Sequence, residues 1–219
     1  MPDLSKLKPN TAGALASLRK PKSEKAFPIK TSVHAILRTH DLQKRNGRRA
    51  MKAMILPENC AAVLDHLPAE EGDRTHAIIA GDFIFCDLLL AIAKARGRGS
   101  LAVSTLSLSM KNVAAIAASI DRGDIDRFDL ILSHYFQSTS KELFQAIERE
   151  LSGRKRCRIV IARTHCKLAL FETPGRVPLT VESSANLRSC GNLEHVTIFA
   201  DEDLARWHRE TFEKILPPP

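Results

Sequence analysis

From residue 57 onward the apolar positions change period repeatedly. The chain spacing predicts a short helix over 57–67, opened by Pro57 with Glu58 in its first turn. A compact apolar run over 76–80 reads as a strand, and 82–95 as a helix that stops near Gly97 and Gly99. A second strand follows over 101–106. Ser109 caps a helix through Asp121, with Gly123 just past its end. A strand over 128–133 leads to a helix capped by Ser138 or Ser140 that runs to Leu151 and closes at Gly153. Next come a strand over 158–163, two short apolar runs at 168–171 and 179–181 separated by Thr173-Pro174-Gly175-Arg176, and a strand over 196–199. Asp201 caps a last helix through Leu216. Strands alternating with helices predict an α/β fold: a mixed, largely parallel sheet flanked by helices in an α/β/α sandwich, with the hairpin as its antiparallel part.

The first 54 residues break this pattern. Residues 1–30 are rich in Lys, Pro and Ser and read as an extended or disordered arm; 31–54 has room for one or two short helices, the second opened by Asp41. The chain therefore divides into a basic arm over 1–54 and an α/β domain over 55–219. Charge sharpens the division. Residues 1–52 hold 13 Lys/Arg against three Asp/Glu, a net +10 out of the chain's +8, so the remainder is close to neutral at −2. Such an arm suits phosphate-backbone contacts, and Arg45, Arg48 and Arg49 are its best candidates. Phe27 is its one aromatic residue, so base stacking by the arm is not indicated. The alternative is a solubilising tail or a docking segment for another protein.

Composition adds limits. Apolar residues make up 44% and charged residues 26%, ordinary values for a globular chain. The longest apolar run, 83–95, is broken by Asp87 and Lys94, and the N-terminus lacks a signal-peptide core. A cytoplasmic protein without membrane insertion is the expectation. The five cysteines are scattered and form no C-x-x-C pair, which predicts neither a disulfide framework nor a zinc site.

The last quarter carries the chemistry. Thr164-His165-Cys166-Lys167, Glu172, Ser183-Ser184-Ala185-Asn186 and Asn192-Leu193-Glu194 lie within strand-like apolar sequence. Buried polar groups are costly unless paired or used. Strand alternation predicts that His165 and Lys167 share one face while Cys166 points away into the core. Glu182, Ser184 and Asn186 share a face in the same way. A hairpin then offers His, Lys, Ser and Asn to one spot: donors for phosphate oxygens beside a nucleophile or acid/base.

Together these residues resemble the HKD motif of the phospholipase D superfamily, H-x-K-x4-D followed by G-S-x-N and N-x-E. His165, Lys167, Ser184, Asn186, Asn192 and Glu194 match it position by position. Glu172 stands where the motif has Asp, and Ser183 where it has Gly. The resemblance implies a phospholipase D-like fold and a metal-independent phosphodiesterase needing no cofactor. It implies two motif copies per active site, and this sequence holds one H-x-K. A C2 homodimer sharing its active site follows, with His165 of one chain forming a phosphohistidine and His165 of the other acting as general acid. Lys167 and Asn186 would hold the non-bridging oxygens, Ser184 would add a donor, and Glu194 would orient His165. Glu172 joins the catalytic set, and Asn192 and Glu182 the substrate-binding set. The basic arm favours nucleic acid, hence a nuclease. A phospholipase or phosphatidyl-transfer enzyme is one alternative. A catalytically degenerate module that binds nucleic acid or protein is another, kept open by Glu172 and Ser183.

Several neighbours have plainer readings. Glu182 also reads as an ordinary cross-strand polar residue. His134 and Tyr135 read as a polar strand end in preference to an active-site rim. Ser104, Thr105 and Ser107 fit either substrate contact or a solvated strand face.

Overall fold

The computed structural model describes residues 42–46, 49–55, 59–80, 83–154, 156–188 and 192–218. The chain runs β1 (Leu42–Asn46), β2 (Arg49–Ile55), α1 (Cys60–Leu64), β3 (Arg74–Ile79), α2 (Phe85–Arg96), β4 (Gly99–Thr105), α3 (Met110–Asp121), β5 (Ile125–Ser133), α4 (His134–Thr139) and α5 (Lys141–Ile147). A π-helical turn (Glu148–Ser152) follows, then β6 (Cys157–Ala162), β7 (Leu168–Glu172), β8 (Leu179–Ser183), β9 (Glu194–Ala200) and α6 (Glu202–Ile215).

The nine strands among these residues form one sheet in the order β1-β2-β3-β9-β8-β7-β4-β5-β6. The fold is a mixed sheet with helices on both faces. Parallel pairing does not predominate, however. Three neighbouring pairs are parallel (β2/β3, β4/β5, β5/β6) and five are antiparallel. The cause is that the β7/β8 hairpin and β9 enter the middle of the sheet, between β3 and β4, where β9 and β7 run against every neighbour; β1 against β2 adds the fifth antiparallel pair.

Strand alternation divides the core. Leu101, Val103, Leu130, Leu132, Ala169 and Phe171 pack on the face that carries most helices. Ala102, Ile131, Leu168 and Leu170 face the other way and meet Ala205, Phe212 and Leu216 of the C-terminal segment. One buried stripe on α6, Ala205, His208 and Phe212, makes that second layer. Local signals set the boundaries. Ser109 accepts from the Asn112 backbone amide at 3.4 Å and Asp201 from that of Leu204 at 2.8 Å, so the N-caps predicted at these two positions form. Gly99 is required by close approach: a Cβ there would lie 2.4 Å from the Glu172 carbonyl oxygen.

Three expectations change. The helices expected over 31–54 are replaced, over the described part, by the antiparallel strands β1 and β2. Parallel pairing of β2 with β3 decides it, because a sheet edge offers backbone partners that local propensity does not see. Residues 31–41 of that reading lie outside the described residues. The helix over 57–67 contracts to Cys60–Leu64, capped by Asn59, whose side chain accepts from the Ala62 amide at 3.2 Å; Pro57 and Glu58 lie outside the described residues. The helix expected to reach Leu151 divides into α4, α5 and the π-helical turn, and Ser133 caps α4 by accepting from the Tyr135 amide.

Candidate active site

One edge of the sheet gathers the chemistry. The pairings place the C-terminal ends of β3, β4, β5, β6 and β8 beside the N-terminal ends of β7 and β9. Loops leaving the carboxyl ends of strands are where α/β folds place ligands. His165 and Lys167 lie in the connection from β6 to β7, Ser184 and Asn186 just beyond β8, and Glu194 at the first position of β9. The five expected residues thus come to one sheet edge from two connections, β6–β7 and β8–β9.

The connection 163–167 is not strand, so alternation does not govern it. His165 and Lys167 still meet: Lys167 Nζ lies 3.1 Å from His165 Nδ1. An ammonium has only donors, so Nδ1 accepts and the ring proton sits on Nε2. Cys166 is exposed, contrary to the expected core position, because the strand that would have turned it inward has not begun. Thr164 fixes this turn. Its hydroxyl accepts from the Cys166 amide at 3.1 Å and shares a 3.2 Å hydrogen bond with Ser104. Ser104 and Thr105 are buried, and neither is solvated nor available to substrate. Thr105 accepts from the Leu187 amide at 3.4 Å and donates to the Ser107 carbonyl at 3.1 Å. Ser107 is buried as well. These residues brace the loops from below.

The two serines after β8 tie it to β9. Ser183 donates to the His195 carbonyl at 2.7 Å and accepts from the Ala185 amide at 2.9 Å. Ser184 accepts from the His195 amide at 2.9 Å and donates to the Glu194 carboxylate. The Glu194 carboxylate therefore engages Ser184, whereas His165 Nδ1 engages Lys167; the expected Glu194–His165 orienting contact is replaced by these two pairs. Asn186 Oδ1 accepts from the Leu106 amide at 3.2 Å, which anchors the loop to the end of β4. Asn186, Asn192, Arg188 and Glu194 line one small depression at this edge.

Two acidic residues are placed elsewhere. Glu172 ends β7, four residues from Leu168 and therefore about 13 Å along the strand from the His165 edge. There it accepts from Ser100 at 3.0 Å and pairs with Arg209 of α6. Glu182 does not share a face with Ser184 and Asn186, because β8 ends at Ser183. It faces α6, 3.6 Å from His208 Nε2, a separation longer than a hydrogen bond. Arg45 and Arg49 lie on β1 and β2, the far margin of the sheet, and Arg48 lies outside the described residues.

The structure returns His134 and Tyr135 to the rim, the reading that sequence placed second, and adds Arg163, which sequence reading passed over. Beside His165 opens a cleft of about 610 Å³. His134, Tyr135 and Arg163 line it. Strand β5 ends at Ser133, so His134 and Tyr135 begin α4 at the rim and do not terminate a strand. The available signal was their position at the carboxyl end of a strand. Among the described residues no group of three His, Cys, Asp or Glu is arranged to hold a metal ion, and no helix is long and apolar enough to cross a membrane.

No protein-family model matches the chain, and no curated protein matches it. Solved structures do. NucT from Helicobacter pylori superposes with a TM-score of 0.48 at 15% identity, over 65% of this chain and 95% of that one. Nuc from Salmonella typhimurium, a phospholipase D family member, gives 0.44 at 16% identity over 59% and 84%. TrmBL2, an archaeal chromatin protein whose structure shows a novel mode of DNA binding, gives 0.43 at 10% identity over 64% and 50%. At such identities similarity of chain path does not transfer function, which has to come from the residues at the sheet edge.

Proposed function

We propose that this protein is a metal-independent phosphodiesterase of the phospholipase D type, a nuclease that works as a C2 homodimer. The observation that supports it most is the convergence of His165, Lys167, Ser184, Asn186 and Glu194 on one sheet edge from two separate connections. Three of these carry donors suited to phosphate oxygens, and His165 stands exposed among them.

The reaction then runs in two displacements. The anionic diester draws the Lys167 ammonium from Nδ1 to a non-bridging oxygen; the ring proton then moves from Nε2 to the vacated Nδ1, where Glu194 accepts its hydrogen bond. Nε2 of His165 attacks phosphorus, a P–N bond forms, and the P–O bond to the leaving group breaks. His165 of the partner subunit gives that oxygen its proton. The same partner ring next takes a proton from water; the water oxygen attacks phosphorus, the P–N bond breaks, and a phosphomonoester leaves. Lys167 and Asn186 from both chains stabilise the charge that develops on the equatorial oxygens. The basic N-terminal segment supplies capture of a polyanion, with strong dependence on salt.

The test is incubation with plasmid, single-stranded DNA, RNA and phosphatidylcholine vesicles, each in EDTA, beside the His165→Asn variant. Cutting of nucleic acid in EDTA by the parent and not by the variant is expected. Hydrolysis of the lipid alone would move the assignment to a phospholipase. Binding of nucleic acid with no turnover would make the chain a binding module.

A further inference from the structure

We propose that the cleft beside His165 is a stacking subsite for one base of a single-stranded nucleic acid, with Tyr135 as its platform. The proposal rests on the phosphodiesterase reading for the identity of the strand. The cleft's volume of about 610 Å³ falls among sites that hold small ligands, roughly 300–1,000 Å³. His165 is part of its wall, so an occupant lies next to the reacting phosphate.

Tyr135 is the chain's one tyrosine, and the residue is 65% exposed. Exposing so much aromatic surface forgoes burial that would have stabilised the fold. The residue is nonetheless held in place. Its amide donates to Ser133 Oγ at 3.2 Å, and its carbonyl accepts from Ser138 and Thr139, each at 2.8 Å. A fixed backbone under a two-torsion aromatic side chain makes a platform of low ordering cost. Trp207, the other strongly exposed aromatic among the described residues, lies on α6 against His208.

Charge selects the ligand. Among the described residues the cleft walls include Arg163 and the two histidines His134 and His165, and no carboxylate. An aromatic face beside a guanidinium, next to a site for phosphate, matches a nucleotide: π-face on Tyr135, backbone toward Arg163. Bases inside a duplex are covered on both faces by their neighbours, so such a platform acts on an unstacked base. The expected preference is for single strands over duplex.

The experiment measures fluorescence anisotropy of a fluorescein-labelled oligonucleotide, alone and annealed to its complement, with the full chain carrying His165→Asn to prevent turnover. Adding Tyr135→Ala weakens single-strand binding by roughly tenfold or more, and adding Tyr135→Phe restores it. Duplex binding is weaker from the start and indifferent to both changes. Equal single-strand affinity with and without Tyr135→Ala overturns the proposal. So does an equal loss on single strand and duplex, or a loss accompanied by dissociation of the dimer in light scattering, which would make Tyr135 a protein contact. The phosphodiesterase reading is tested apart from this. Cleavage of bis(p-nitrophenyl) phosphate, a diester without a base, by the parent and not by His165→Asn supports that reading whatever Tyr135 does.

Discussion

Between His165 and Glu194, two hydrogen-bonded pairs hold the candidate site in a resting arrangement. Lys167 occupies Nδ1 of His165 at 3.1 Å, and Ser184 occupies the Glu194 carboxylate. An attacking Nε2 needs its proton moved to Nδ1 and an acceptor there, and Glu194 is the carboxylate on this edge suited to the task. Glu194→Gln is therefore expected to lower kcat by about 10²–10⁴-fold. Its thermal midpoint should stay within a few degrees, since Ser184 can still donate to the amide oxygen. Steady-state kinetics beside a thermal melt checks this, and near-normal turnover would leave Glu194 as a tether for the β8–β9 connection. The motif residues were legible one by one because their spacing survives whatever the local backbone does. Cys166 was not, because its expected burial assumed a strand two residues before β7 begins. Glu172 was misplaced for a related reason: spacing along the chain does not say that a five-residue strand will carry it to the other end of the sheet.

At the scale of elements, α6 is fastened to the sheet by ions as much as by apolar contact. Asp129 is buried on β5 and receives both Arg158 Nε and Nη2, at 2.8 and 2.9 Å, with Arg209 Nη1 at 3.2 Å. Arg158 also reaches Glu213 at 2.8 Å and the Pro217 carbonyl at 3.0 Å. Such a network costs little while complete and much when one partner is removed. Glu172 belongs to this clasp through Arg209. Glu172→Gln is expected to keep turnover within a few-fold of the parent while lowering the urea midpoint; loss of activity at unchanged stability would return Glu172 to the catalytic set. The same interface sets a dependence on pH. Burial pushes the pKa of His208 below its ordinary value, with Glu182 opposing, and burial together with Arg74 and His195 does the same to His76. Both rings therefore stay neutral to lower pH in the fold than in the unfolded chain. Their contribution is complete above the unfolded value of about 6.5 and is lost as pH falls below it toward the depressed folded values, because the unfolded chain binds protons first. Urea midpoints should accordingly drop from pH 7.5 to pH 5, with a shallower slope in His208→Gln. The caps at Ser109 and Asp201 were readable because capping is local chemistry. Strands β1 and β2 were not, since what makes them strands is the edge of β3, which local sequence does not contain.

For the whole molecule, the order of the sheet explains why chemistry collects where it does. The alternating pattern announced an α/β fold, but a regular parallel succession would have kept β7, β8 and β9 at a margin. Insertion of the hairpin and β9 between β3 and β4 brings the ends of the hairpin against the carboxyl ends of the parallel strands. That single choice of pairing, made by contacts far apart in sequence, builds the edge. The edge holds one His165, and the proposed mechanism needs a nucleophile and an acid. If the second ring comes from another copy, activity counts pairs and not chains. Parent and His165→Asn protein, mixed in equal amounts and left to exchange subunits, form parent pairs in about one quarter of all dimers by random association. Turnover is then expected near one quarter of that of the parent at equal total chain. Subunits that act independently give half. Measuring the rate across a series of mixing ratios separates a quadratic dependence on parent fraction from a linear one, and a straight line would show that each chain carries a complete active site.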